Sequence, residues 1–161
     1  MKIELENNFG RERTFNTIIP KIKDWNYSDL HGKGLYSNIN RFAFVELKFS
    51  VNNSKYSNSN LLWNEELIPL KFSETVISTL NFFISLVRVL KNEDVSFNIE
   101  LIDGGYHPID SSNLSYEIAT IRAILNCFQS SDKIISQSDI TRIHSYQIAY
   151  ENYKKNRNNG M

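Results

Sequence analysis

The sequence predicts an α+β fold in one domain: a mixed or mostly antiparallel sheet of 3–5 strands, a long central helix packed on one face, and two helices at the C-terminal end. Three observations predict it. The run RFAFVELKFSV, residues 41 to 51, alternates apolar and mixed positions with the period of a strand. Val95 to Asp103 repeats that alternation and stops at Gly104-Gly105. Between them, from Ser73 to Asn92, apolar residues recur at steps of four and three, the period of a helix.

The chain of 161 residues is long enough to bury one core without metal or disulfide support. Residues 1–155 read as a single globular domain and residues 156–161 as a basic and polar tail. Hydrophobic residues make up 41% and charged residues 22%, a globular balance that argues against disorder. The 18 basic and 18 acidic residues cancel, so net charge does not favour nucleic acid. Cys127 is the only cysteine, which excludes an intrachain disulfide and fits a reducing, cytoplasmic setting. No charge-free apolar run of about 20 residues is present and the N-terminal stretch lacks a signal-peptide core, so neither a membrane span nor export is expected.

Taken in order, Lys2 to Glu6 alternates and reads as a short strand, while residues 11 to 20 fit either a helical turn or a strand. Residues 21 to 40 hold Trp25, Tyr27 and the glycines of His31-Gly32-Lys33-Gly34, and read as a connection with aromatic anchors. In the strand 41 to 51, Ala43, Val45, Leu47, Phe49 and Val51 form a wholly apolar face; Phe42, Phe44, Glu46, Lys48 and Ser50 form the other. Residues 52 to 60 are polar and aperiodic and read as a loop; Leu61 to Leu70 reads as an edge strand ended by Pro69.

Ser73 is placed to cap the central helix, with Glu74 in its first turn. Val76, Leu80, Phe83, Val87 and Leu90 share one face, and only roughly a quarter to a third of the circumference is polar. Such a helix needs cover on two sides. The sheet supplies one; a second helix of this chain or a partner supplies the other. Residues 115 to 128 and 139 to 155 carry the last two helices, the latter with Ile143, Tyr146, Tyr150 and Tyr153 as a packing stripe.

Glu46-Leu47-Lys48 fits the E-x-K element of the PD-(D/E)xK nucleases, and over residues 40 to 103 the chain resembles that superfamily. The resemblance implies a Mg²⁺ ion held by Glu46 and an upstream aspartate, Asp29 being nearest with Asp24 behind it, and an attacking water positioned or activated by Lys48. Strand alternation offers a simpler account. Glu46 and Lys48 fall on the hydrated side of a one-sided sheet, where Lys48 and Glu100 can face each other across strands.

The remaining candidates are weaker. His31-Gly32-Lys33-Gly34 is not the Gly-x4-Gly-Lys-Ser/Thr phosphate loop. His31, His107 and His144 lack close metal-ligand spacing and read as surface or capping histidines. No Gly-x-Ser-x-Gly elbow occurs, and Cys127 reads as a small buried hydrophobe. The function expected is a non-catalytic protein-interaction or regulatory module of a cytosolic microbial or phage assembly. It would work with a protein partner or as a homo-oligomer, without cofactor; the alternative is the Mg²⁺-dependent nuclease.

Overall fold

The direction in which each strand points its side chains fixes the architecture. The computed structural model describes residues 15–54, 58–129 and 137–159. A 3-10 turn at Asn16–Ile18 leads into α1 (Ile19–Asp24), then β1 (Leu30–Asn38), β2 (Arg41–Val51), β3 (Asn60–Leu62), α2 (Ser73–Lys91), β4 (Phe97–Gly105), α3 (Asn113–Phe128) and α4 (Gln137–Asn159). The strands lie in the order β1-β2-β4-β3. The first two pairings are antiparallel and β3 runs parallel to β4, so this is the mixed sheet of an α+β domain. The strand expected over Lys2 to Glu6 lies outside the described residues. Helix α4 runs on to Asn159, into the residues read from sequence as a tail.

Strand β1 replaces the expected connection over residues 30 to 38. The glycines that suggested a loop are a packing device. Gly32 and Gly34 alternate with His31 and Lys33, so both fall on the face against α3. A Cβ at either position would collide with the carbonyl oxygens of Ala123 and Ala119. Two glycines opposite two alanines let helix and sheet approach closely. Side chains of α3 also cap the free edge of β1. The Lys33 backbone N–H donates to Asn126 Oδ1 at 2.9 Å, and Arg122 Nη1 donates to the Leu35 carbonyl at 2.7 Å.

The back face of the sheet carries Ala43, Val45, Leu47, Phe49, Phe97, Ile99 and Leu101, all buried in one core with α2 and α3. Phe83 of α2 meets Phe49 edge-on at 5.7 Å. The second side of α2 is covered by the chain itself: Phe15, Ile18 and Ile22 are fully buried, and Phe15 stacks on Phe82 at 5.8 Å. Trp25 closes the end of the core by stacking on Phe97 at 5.6 Å. This cover takes in Phe82, while Ile77 and Val89 of α2 remain 41% and 77% exposed. Length and composition alone would let Leu70–Lys91 cross a membrane, but its Val76, Phe83 and Val87 are fully buried in this core.

Local chemistry explains the shifted boundaries. Ser73 is the first residue of α2 rather than its cap, because the 3-10 turn Leu70–Phe72 runs straight into the helix and Phe72 takes the cap position. At the other end Asn92 adopts a left-handed φ of 52°, which lets its N–H reach the last carbonyls. Of the edge strand expected over Leu61 to Leu70 only Leu61 and Leu62 pair, together with Asn60 from the expected loop. Beyond it Asn64 organises a turn, accepting the Glu66 N–H at 3.0 Å, and Trp63 Nε1 donates to the Ile68 carbonyl. Helix α3 starts at Asn113 because Ser112 caps it, its hydroxyl accepting the Ser115 N–H.

Candidate functional site

On the front face of the sheet β1 contributes His31, Lys33 and Leu35; β2 contributes Phe44, Glu46 and Lys48. The register sets Lys33 opposite Glu46, His31 opposite Lys48, and Leu35 opposite Phe44. Glu46 is 7% exposed, which corrects its expected place on a hydrated surface; Lys48 is exposed as expected. The cause lies with its neighbours. Glu46 Oε1 sits 2.5 Å from His31 Nε2 and 3.6 Å from Lys33 Nζ, so an imidazole and an ammonium group from the adjoining strand fold over one carboxylate. An ionised carboxylate only accepts, so it fixes the His31 tautomer with the proton on Nε2.

A bulge brings a second carboxylate beside the first. Leu47 pairs with Leu101, but Glu46 pairs with Asp103, leaving Ile102 as an extra residue in β4. In a regular register Ile102 would stand opposite Glu46, and Asp103 opposite Val45, pointing into the core. The bulge, which leaves Ile102 unpaired, turns Asp103 to the front face next to Glu46. There His144 of α4 lies with Nε2 3.2 Å from Asp103 Oδ2. Three residues further along the chain, the Tyr106 hydroxyl donates to Glu151 Oε1 at 3.2 Å.

The residues singled out from sequence are thus partly brought together. Lys48 meets Asp29 at 3.9 Å, so Asp29 neutralises the lysine of the E-x-K element. Among the described residues no group of three or more His, Cys, Asp or Glu side chains is arranged to hold a metal ion. Lys48 and Glu100 do face each other in register. Sequence reasoning gave His31 and His144 no role beyond the surface and passed over Lys33 and Asp103. Alternation through His31-Gly32-Lys33-Gly34 was a legible signal for His31 and Lys33; the bulge that redirects Asp103 left none. The stripe of Ile143, Tyr146, Tyr150 and Tyr153 lies outside the described side chains.

A second surface lies where β1 turns into β2 and β4 runs into α3. The 106–112 loop is braced from within: His107 Nδ1 accepts the N–H groups of Ile109 and Asp110 at 3.3 and 3.2 Å, and Ser111 Oγ accepts the His107 N–H at 2.8 Å. The loop is tied to the sheet because the Phe42 N–H donates to the Asp110 carbonyl and Ser111 Oγ donates to the Phe42 carbonyl. His107 is a structural brace, in line with its reading as a capping residue. Two apolar side chains project from this end: Ile109 is 86% exposed, and Ile39, in the β1–β2 turn, 85%.

The remaining titratable groups do structural work. Burial pushes the Cys127 thiol up to about 12, which keeps it protonated and unreactive at neutral pH. Burial also raises Tyr116, whose hydroxyl donates to the Gly105 carbonyl at 2.8 Å and pins α3 to the end of β4.

No protein-family model and no curated protein matches this chain. Among solved structures it is similar to the crystal structure of ttk003000868 from Thermus thermophilus, at 18% identity and a TM-score of 0.45 over 62% of this chain. The match spans 15% of that protein's length.

Proposed function

We propose that this chain is a non-catalytic interaction module, working in the cytoplasm, whose contact surface is the end formed by the β1–β2 turn and the 106–112 loop. The observation that carries this reading is the pair of projecting isoleucines, Ile39 and Ile109, at an end where the 106–112 loop is tied to Phe42 of β2 by one backbone hydrogen bond and by the Ser111 hydroxyl. Apolar side chains held on a preorganised loop can bind without an ordering cost. The charged groups of the sheet face support the same reading, because Glu46 is satisfied by His31 and Lys33, and Lys48 by Asp29. A protein partner with an apolar recess is the ligand chemistry this end suits.

The test is recovery of partners from the native host by tagged chain, with an Ile39→Asp/Ile109→Asp double variant alongside. The expected result is a defined partner recovered by the unaltered chain and lost with the double variant. Recovery of the same set by both would overturn the assignment of this surface.

A second reading, Mg²⁺-assisted phosphodiester cleavage, is favoured by one observation: Glu46 and Asp103 stand opposite each other on the same face. In it Asp103, not Asp29, would share the ion with Glu46. Incubation with DNA and RNA in Mg²⁺ or Mn²⁺, beside Glu46→Ala and Lys48→Ala, decides it. Cleavage that vanishes in both variants would establish it in place of the binding module.

A further inference from the structure

Helix α2 is polar along one narrow strip, and in its C-terminal half that strip is Asn81, Ser85 and Arg88, set at steps of four and three so that they share a face. These three border the end of the β2–β3 connection. With Asn58, Ser59 and Ile84 they line a recess of about 320 Å³. A larger recess of about 760 Å³ adjoins it and shares Arg88 and Asn58. The charges divide between the two. Glu93 and Asp94 border the larger recess, whereas among the described residues Arg88 is the only charged one at the smaller.

Arg88 is anchored through one atom. Its Nε donates to the Val95 carbonyl at 2.8 Å and lies 3.5 Å from Asp94 Oδ1, a carboxylate so exposed that the pairing contributes little. Glu93 is engaged by the Tyr27 hydroxyl at 2.6 Å. Among the described residues the two terminal nitrogens of Arg88 have no hydrogen-bond partner, and neither do the side chains of Asn58, Asn81 and Ser85. Ser59 Oγ accepts the Phe97 N–H at 2.9 Å, which fixes the hydroxyl and leaves its own proton to donate.

We propose that the smaller recess is a binding site for a phosphate group, free or carried by a small phosphomonoester. A planar guanidinium with both terminal nitrogens open can meet two oxygens at once. A carboxylate would be satisfied by that fork alone. The further donors stand on two separate elements, Asn81 and Ser85 on the helix and Asn58 and Ser59 on the connection, and suit a group that brings a third oxygen. A nucleic-acid backbone is a poor fit, because it draws its affinity from a run of cations and would here meet one arginine flanked by Glu93 and Asp94. The site stands whether or not the Ile39 and Ile109 surface binds a partner.

Titration of the full chain with inorganic phosphate, ribose 5-phosphate and succinate, followed by amide NMR shifts, tests the site. Phosphate or ribose 5-phosphate is expected to move the amides of residues 58–59 and 81–88, and the tighter of the two identifies the source of the group. Ser85→Glu adds a carboxylate at an exposed position, and Arg88→Gln removes the charge; each should weaken that binding by about ten-fold or more. Lys71→Ala, which removes an exposed cation elsewhere, should leave it unchanged. Should Arg88→Gln fail to fold, Ser85→Glu decides alone. Tightest binding by succinate, no saturable shift in the millimolar range, shifts centred on other residues, undiminished binding in Ser85→Glu, or equal weakening in Lys71→Ala would overturn the assignment.

Discussion

Glu46 and His31 meet diagonally: His31 stands opposite Lys48 and Glu46 opposite Lys33, yet Glu46 Oε1 and His31 Nε2 are 2.5 Å apart. The carboxylate thus draws on two residues of β1 at once, its directly opposed lysine and the histidine two positions away. With His31 half-exposed and Lys33 partly so, both side chains can return to water if the carboxylate goes.

That asymmetry gives a prediction at Glu46. Truncation by Glu46→Ala leaves a void and should cost about 1–3 kcal/mol. Glu46→Leu fills the space with a side chain that needs no partner and should recover most of the loss, as buried ion pairs often tolerate apolar replacement. Urea denaturation of the two variants measures the difference. Equal destabilisation would mean that the pairing itself, rather than filled volume, stabilises this position.

Gly34→Ala tests the close approach of α3 to the sheet. Where the backbone permits it, Gly→Ala usually stabilises, by about 0.4–1 kcal/mol, through the unfolded chain. Gly34 has no positive φ, so strain does not enter; the Ala119 carbonyl does. The expected outcome is a loss of about 1–3 kcal/mol by overpacking, read from the denaturation midpoint. A gain in stability would show that helix and sheet can separate without cost.

The bulge makes a sharper test than any substitution nearby. Removing Ile102 restores simple register and leaves Asp103 directly after Leu101, still opposite Glu46 on the front face, with Gly104 still opposite Val45. The deletion should keep cooperative unfolding in circular dichroism, since every paired residue of β4 retains its partner and its face. Asp103→Ala, which keeps the bulge, should still fold. Loss of cooperative unfolding in the deletion variant would show that the extra residue is itself needed for the pairing of β2 with β4.

The pH dependence follows from Cys127. Burial raises its thiol from an ordinary 9.0 to about 12 in the folded chain. Below about pH 9 both states keep the proton and the stability is intact; as pH rises from 9 toward 12 the unfolded chain ionises first and stability falls. Tyr27, raised from 10.0 to about 12 by burial and by Glu93, adds to the decline above pH 10. Urea midpoints measured from pH 7 to 11 should drop first near 9, and Cys127→Ala should delay that drop. Ellman's reagent at pH 8 should react with Cys127 only as the protein unfolds.

Much of this architecture was legible because alternation and helical period are properties of single segments. The strand from Arg41 to Val51 and the helix from Ser73 to Lys91 follow from their own residues. What escaped depends on two segments at once. Gly32 and Gly34 spell a loop until Ala119 and Ala123 are placed behind them. The second cover of the long helix is Phe15, Ile18 and Ile22, apolar residues with no decisive period of their own. Glu46 looked solvent-facing because one strand's pattern shows the side to which a residue points, not what lies over it. The element that carried the nuclease resemblance holds its acid and base close in sequence, while folding gives each a different partner.

The capped edge of β1 has a consequence for how the protein behaves at high concentration. An unprotected outer strand invites another chain to extend the sheet, the first step toward fibrils or swapped dimers. Here Asn126 occupies the Lys33 amide and Arg122 the Leu35 carbonyl, so an incoming strand would have to strip both away before its first hydrogen bond formed. Along this border the sheet cannot readily be extended, and crowding should leave the chains dispersed rather than stacked.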